Sequence, residues 1–275
     1  MSLPLMEGAD MPDRPFDILR RDGLVVLKGV IPPDEVGAVR ESVAATVRKH
    51  TSVPLPQGYV TGFLRLNQAI APYLTHPRIM ELVNGLFGDN ARISILTGII
   101  NGPGIKRGQV HADWPYNQNQ FSRVSAPYPD VVMNLVTMWM LSRYTRENGG
   151  TIVLLGSHKR NNAPRTGTDL DPDAIYEEES QLQGEPGDVG VFDARTWHAI
   201  APNRTQEERV GVLVRYTPWW VNLNPLRPGS RDRKQIVDDQ GGANVDPKVE
   251  PIPASIYARL PADVQPLVYH MTVDD

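Results

Sequence analysis

"RVGVLVRYTPWW", the run Arg209–Trp220, decides how the fold is read. Valines at every second position alternate with Arg209, Gly211, Leu213 and Arg215, the period-two pattern of a strand rather than the 3.6-residue period of a helix. The same alternation gives Arg209 and Arg215 one parity, so both side chains leave the strand on one face. Six further strand candidates precede it: "ARISILTGII", "RGQVHAD", "VVMNLVTMWML", "GTIVLL", "DVGVFDA" and "TWHAIA". Seven strands in about 130 residues, with helices ahead of them, predict a mainly β domain with flanking helices packed on one side of a barrel or sandwich.

The residues before Ala91 read differently. A short helix from "PFDILRRD" ends at Gly23, and a strand follows over Leu24 to Val30. A second helix is entered through Pro32 and Pro33, with Asp34 and Glu35 in its first turn. Val36, Val39, Val43 and Val47 give that helix one buried stripe. "HPRIMELVNGLFGD" predicts a third, amphipathic helix stopped by Gly88. Beyond Asn222 the chain is polar and Pro-rich, with one short helix expected at "ASIYARL". The whole reads as a single domain over 1–275: a helical part at 15–88, a strand core at about 91–220 and an irregular tail at 222–275.

Composition narrows the chemistry. The 275 residues contain no cysteine, which excludes disulfides, thiolate-bound metal clusters and cysteine nucleophiles. Histidine and carboxylate remain as metal ligands. A formal net charge of −4 supplies no basic field for nucleic acid or an anionic membrane. No stretch approaches the roughly 20 apolar residues of a membrane span. The opening "MSLPLMEGADMPDRP" lacks the basic-then-apolar run of a signal peptide, so a cytoplasmic protein is expected.

"GQVHADWPY" (Gly108–Tyr116) places His111 and Asp113 two residues apart, on one face if the segment is extended. That supplies two corners of a metal site. A third is available in "TWHAIA", where His198 lies 85 residues after Asp113. Two histidines and one carboxylate form a facial triad that leaves coordination positions open, a ligand set suited to non-haem Fe(II) with a chelating cosubstrate and O₂. Arg209, eleven residues past His198, has the fork geometry to hold a dianionic cosubstrate by its far carboxylate.

These elements resemble the phytanoyl-CoA dioxygenase-like family of Fe(II)/2-oxoglutarate oxygenases. The family pattern of H-x-D, a distal His and an Arg about eleven residues beyond it is matched by His111-Ala112-Asp113, His198 and Arg209. "ENGGTIVLLGSH" (Glu147–His158) is similar to the family segment between the ligand strands, and "DGLVVLKGVIPPDEV" and "GDVGVFDARTWHAIAPNRT" are similar to its flanking parts. The resemblance covers about residues 15 to 218. It implies a double-stranded β-helix (jelly-roll) core. It also implies Fe(II), 2-oxoglutarate and O₂ as cofactor and cosubstrates, with release of succinate and CO₂ as a small-molecule C–H is oxidised. Related halogenases have a small residue at the carboxylate position, so Asp113 points to oxidation without halogen. One departure stands out: many relatives have Ser two residues after the distal His, touching 2-oxoglutarate, and here that residue is Ile200.

Alternatives accompany each assignment. His158 competes with His198 as third ligand, although the resemblance makes it structural. Arg215 rivals Arg209, or else reaches the substrate or a structural ion pair. Gln109, Asn134 and Thr137 are candidates for the cosubstrate, with buried hydrogen bonding as the other reading of the last two. Trp114, Tyr116, Trp219 and Trp220 flank the ligand regions as substrate wall or as packing. Lys106, Arg107 and Arg123 read as solvated, and "DLDPDAIYEEES" as a mobile loop and candidate lid rather than a calcium site. The rival function is a metal-binding barrel that is non-catalytic or independent of 2-oxoglutarate. The residues do not specify the substrate or an oligomeric state.

Overall fold

The computed structural model describes residues 14–51, 53–114, 126–164, 169–221, 227, 229–234 and 251–275. Helix α1 (Pro15–Asp22) stops at Gly23, where φ is 80° and the backbone N–H closes back on Leu19 O at 2.8 Å. Glycine is required there twice. A side chain would be strained at that φ, and its Cβ would fall 2.4 Å from the His158 ring. Strand β1 (Leu24–Leu27) follows. Helix α2 (Val36–His50) begins later than the prolines suggest, because Pro32 O closes an initial turn onto Glu35 and Val36 before the helix proper. Its expected stripe of Val36, Val39, Val43 and Val47 is buried. Each such side chain contributes roughly 1.5–3 kcal/mol relative to exposure. Helix α3 (Pro77–Phe87) ends at Gly88, as expected.

The strands are β2 (Gln57–Thr61), β3 (Arg92–Asn101), β4 (Leu135–Met140), β5 (Ile152–Leu154), β6 (Glu179–Gln181), β7 (Val189–Asp193), β8 (His198–Ala199) and β9 (Arg209–Thr217). Six of the strands form one antiparallel sheet in the order β1-β7-β4-β9-β3-β2, and three form a second in the order β6-β5-β8. The N-terminal part is therefore not purely helical, since it contributes both edge strands of the large sheet. The large sheet is covered on both faces, and β9 is buried along its full length.

The alternation in β9 has a direct structural meaning. Val210, Val212, Val214 and Tyr216 point into the core shared with α2 and α3. Arg209, Gly211, Leu213, Arg215 and Thr217 have the opposite parity. Leu213 meets Val136, Met138, Phe192 and Leu182 in a second cluster, between the two sheets. The outer face of the small sheet buries Ile152, Leu154, Trp197 and Ala199 beneath Tyr128 and Tyr176. Tail residues close the helical side: β10 (Ile252–Pro253) pairs in parallel with β11 (Thr272–Val273), and Leu260, Val264, Leu267 and Val268 join that core. A short helix does occupy Ala254–Tyr257.

Candidate metal centre

"RGQVHAD" does not form a regular strand. His111 makes only an isolated antiparallel bridge with His198, each backbone N–H donating to the other's carbonyl at 3.0 and 2.9 Å. Its neighbours have different partners: Gly108 N–H bonds Ile200 O and Val110 N–H bonds Pro172 O, so no continuous ladder develops. The single bridge is enough to set the two imidazoles side by side, with ring centroids 4.4 Å apart. Asp113 is anchored through its own N–H to Ala194 O at 2.8 Å, at the end of β7.

Both histidines present the same nitrogen. Nδ1 of His111 donates to Gln109 O at 2.9 Å, and Nδ1 of His198 donates to Thr196 O at 2.8 Å. A carbonyl can only accept, so the proton sits on Nδ1 and the Nε2 lone pair is left for a cation. His111 Nε2 lies 3.8 Å from Asp113 Oδ1, and His198 Nε2 lies 3.7 Å from Asp113 Oδ2. Ligand atoms of the three residues fall within 4.8 Å of one another. Asp113 Oδ1 accepts from Arg215 Nη2 at 2.7 Å, whereas its Oδ2 is buried with no hydrogen-bond partner. An orphaned carboxylate oxygen in the interior is costly unless a ligand completes it. A divalent ion held by two Nε2 atoms and one carboxylate oxygen fits this donor set.

Charge states favour that fit. Burial, with the neighbouring His111 adding to it, lowers the His198 pKa to about 4, so the ring is neutral at physiological pH. For Asp113, burial pushes the pKa up, but the Arg215 guanidinium, His198 and His111 outweigh it and hold the carboxyl below its ordinary range. The His111 side chain is 40% exposed while the other two are buried, so the cluster opens on the His111 side.

Arg209 lies six residues before Arg215 on the same face, roughly 20 Å along the strand. Its guanidinium stacks 4.4 Å from the centre of the Tyr144 ring. It also donates to Asn101, whose amide, turned to put its oxygen toward the arginine, donates in turn to Ile100 O at 3.2 Å. Arg209 is buried, its Nε has no acceptor, and no carboxylate among the described residues pairs with it. A buried cation in that condition calls for an anionic ligand.

Known proteins share this fold. A profile of the phytanoyl-CoA dioxygenase family matches residues 19–211, from within α1 to the start of β9. The chain belongs to the phytanoyl-CoA dioxygenase family. Among curated relatives, dioxygenase af480 of Aspergillus fumigatus is 31% identical over 144 residues, covering 52% of this chain and 42% of its own length. Among solved structures, HygX from Streptomyces hygroscopicus with nickel and 2-oxoglutarate bound aligns with a TM-score of 0.62 at 17% identity, over 78% of this chain and 90% of that one. The epimerase SnoN, solved with Fe3+, alpha ketoglutarate and nogalamycin RO, aligns with a TM-score of 0.59 at 22% identity, over 74% and 82%. The two sheets are thus the jelly-roll core of this family.

Other expected site residues take varied places within the family fold. Asn134 is buried with the parity of Val136, and its Oδ1 has no partner. Its carbonyl accepts from Ala194, which in turn anchors Asp113. Thr137 takes its buried hydrogen-bonding reading, which corrects the expectation of a cosubstrate contact. It shares the helix-side face, where its hydroxyl donates to Val214 O and accepts from Trp139 Nε1, so it points away from the triad. Gln109 is also a correction. Without a regular strand its side chain does not follow His111, and it is exposed, donating to Asp173. Trp114 packs against the cluster between the sheets, edge-on to Tyr128. Trp219 and Trp220 stand 55% and 54% exposed at the end of β9 rather than lining that interior. Tyr116 and Arg123 lie outside the described residues.

His158 is excluded as the third ligand by position: its Nε2 meets Arg20 O at 3.2 Å, beside Gly23. Arg107 is not solvated. It pairs with Glu179 at 2.8 and 2.5 Å and donates to Ala174 O, strapping the acidic segment across the residues before His111. Ile200 packs against Gly108 and offers no donor. Sequence reasoning missed Asn101 and Tyr144 as companions of Arg209. Gly211 was the available signal, because a Cβ there would fall 2.2 Å from the Tyr144 hydroxyl.

Replacing Arg215 tests its role at Asp113. In an Arg215→Met protein the buried carboxylate loses its cation, and breaking such a pair costs roughly 3–5 kcal/mol. Chemical denaturation of the metal-free protein should show that loss. Arg215→Lys should recover part of it.

Proposed function

We propose that this chain is an Fe(II)- and 2-oxoglutarate-dependent oxygenase that oxidises an unactivated C–H of a small-molecule metabolite, releasing succinate and CO₂. The observation that carries this reading is the pairing of two unmet demands between the sheets. Among the described residues, Asp113 Oδ2 sits unpartnered beside two Nε2 lone pairs, and Arg209 is a buried cation without a counter-ion. One ligand that is both a metal chelator and an anion answers both. Iron with 2-oxoglutarate and O₂ supplies the oxidising power for C–H cleavage when bound.

The chain's own residues would do the rest. His111, Asp113 and His198 would hold the ion and leave room at it for cosubstrate and O₂. Arg215 would keep Asp113 ionised and turn its Oδ1 aside. Arg209 would fix the far carboxylate of 2-oxoglutarate and so orient the keto acid. Trp114, next to the triad and against the inner cluster, would contribute to a wall that excludes water from the oxidised carbon. Asn134, whose amide oxygen is unpartnered among the described residues, would offer an acceptor to cosubstrate or substrate. Hydroxylation is the proposed outcome, since Asp113 fills the position a halide would need.

Titrating anaerobic, Fe(II)-loaded protein with 2-oxoglutarate tests the core of the proposal. A weak visible charge-transfer band should grow and saturate. If iron binds and no band appears, the chain is instead a metal-binding barrel independent of 2-oxoglutarate. Succinate release across a metabolite panel then identifies the substrate. Mass spectrometry of products made in chloride buffer should find no halogen.

A further inference from the structure

Tyr144 is fully buried in the cluster between the sheets, and its hydroxyl, with the Arg209 guanidinium beside it, finds no acceptor for its own proton among the described residues. Phenylalanine would fill the same volume without that cost, so the oxygen needs a reason. The position of the oxygen suggests one. It lies over Gly211, where any Cβ would collide with it, and Gly211 is two residues from Arg209 on the same inner face. The Tyr144 ring also forms the platform on which the Arg209 guanidinium stacks. Two donors, Arg209 Nε and the Tyr144 hydroxyl, are thus buried side by side with no acceptor for either. The complementary group is an anion with two oxygens, one for each donor.

We infer that the Tyr144 hydroxyl donates a hydrogen bond to the distal carboxylate of the 2-oxoglutarate paired with Arg209. This rests on the oxygenase reading above and adds a binding residue to it. Gly211 is then a positioning residue whose missing side chain admits the phenol.

The test compares wild type with Tyr144→Phe, both Fe(II)-loaded and anaerobic. The charge-transfer band is titrated with 2-oxoglutarate and, separately, with a 2-oxo monoacid of equal chain length that lacks the distal carboxylate. The variant should bind 2-oxoglutarate about 10- to 100-fold more weakly, the span of a lost hydrogen bond to a charged group. Its affinity for the monoacid and for Fe(II) should be unchanged. Unchanged 2-oxoglutarate affinity overturns the inference, and so does an equal loss for both acids, which would mark Tyr144 as packing alone. A wild type with bound iron and no band for 2-oxoglutarate overturns the oxygenase reading, and this inference with it.

Discussion

A His198→Ala protein is expected to fold, to bind Fe(II) weakly and to turn over no substrate at a measurable rate. On the proposed reading, His198 supplies one of the three protein ligands found among the described residues. Removing the hydrogen-bond partner of a metal-bound histidine already costs 10- to 100-fold in affinity or activity, so removing the ligand itself costs more. The fold should survive, because the bridge to His111 is made by backbone atoms and the ring itself contributes one hydrogen bond to Thr196 O and ring contacts with His111 and Phe192. Iron content after desalting, circular dichroism and succinate release report the three outcomes separately. Full activity in a folded His198→Ala protein would remove the triad from consideration. The variant should also be less acid-sensitive without metal. His198 has a folded pKa of about 4 against roughly 6.5 when unfolded. Its contribution to stability is therefore complete above pH ~6.5 and is lost as pH falls through about 4. That portion of acid destabilisation should be missing from His198→Ala.

Arg209→Ala should raise the KM for 2-oxoglutarate by two to three orders of magnitude, while Fe(II) affinity stays close to wild type. A carboxylate drawn into the barrel without its cation loses roughly 3–5 kcal/mol. Arg209→Lys should recover only part, because a point charge cannot reproduce a planar fork stacked on an aromatic ring. Arg215 provides the control on the same strand. Its contact is Asp113, so its variants should move metal affinity and stability before they move the KM for 2-oxoglutarate. A larger KM effect at Arg215 would reverse the roles of the two arginines.

Much of the fold was readable because its elements carry one-sided patterns. The valine stripe of α2 and the alternation of β9 each name a face without reference to anything else. The triad was readable because H-x-D, the distal histidine and the following arginine keep their order along the chain. Strand β4 shows where that kind of reading stops. All six of its residues are buried, so alternation there distinguishes two covered faces without saying which one holds the metal. For that reason Thr137 carried two readings, a cosubstrate contact or buried hydrogen bonding, and the structure gives the second. Gln109 failed for the opposite cause: period two was assumed in a segment that bonds piecemeal to Ile200, Pro172 and His198. Strand β2, "QGYVT", went unread because its glycine and polar residues blur the pattern of an edge strand. The strap from Arg107 to Glu179 joins residues 72 apart, and nothing local in either one announces the other.

The two backbone carbonyls behind His111 and His198 have a consequence for supply rather than catalysis. They fix both imidazoles before any ion arrives, so the pocket is equally ready for whichever first-row divalent metal reaches it. Nothing in two nitrogens and a carboxylate selects Fe(II), which sits low in the Irving–Williams order, below nickel and copper. Recombinant protein purified in air over a nickel resin should therefore emerge largely mismetallated. Its specific activity should follow iron occupancy rather than protein concentration, and stripping followed by anaerobic reloading should restore it.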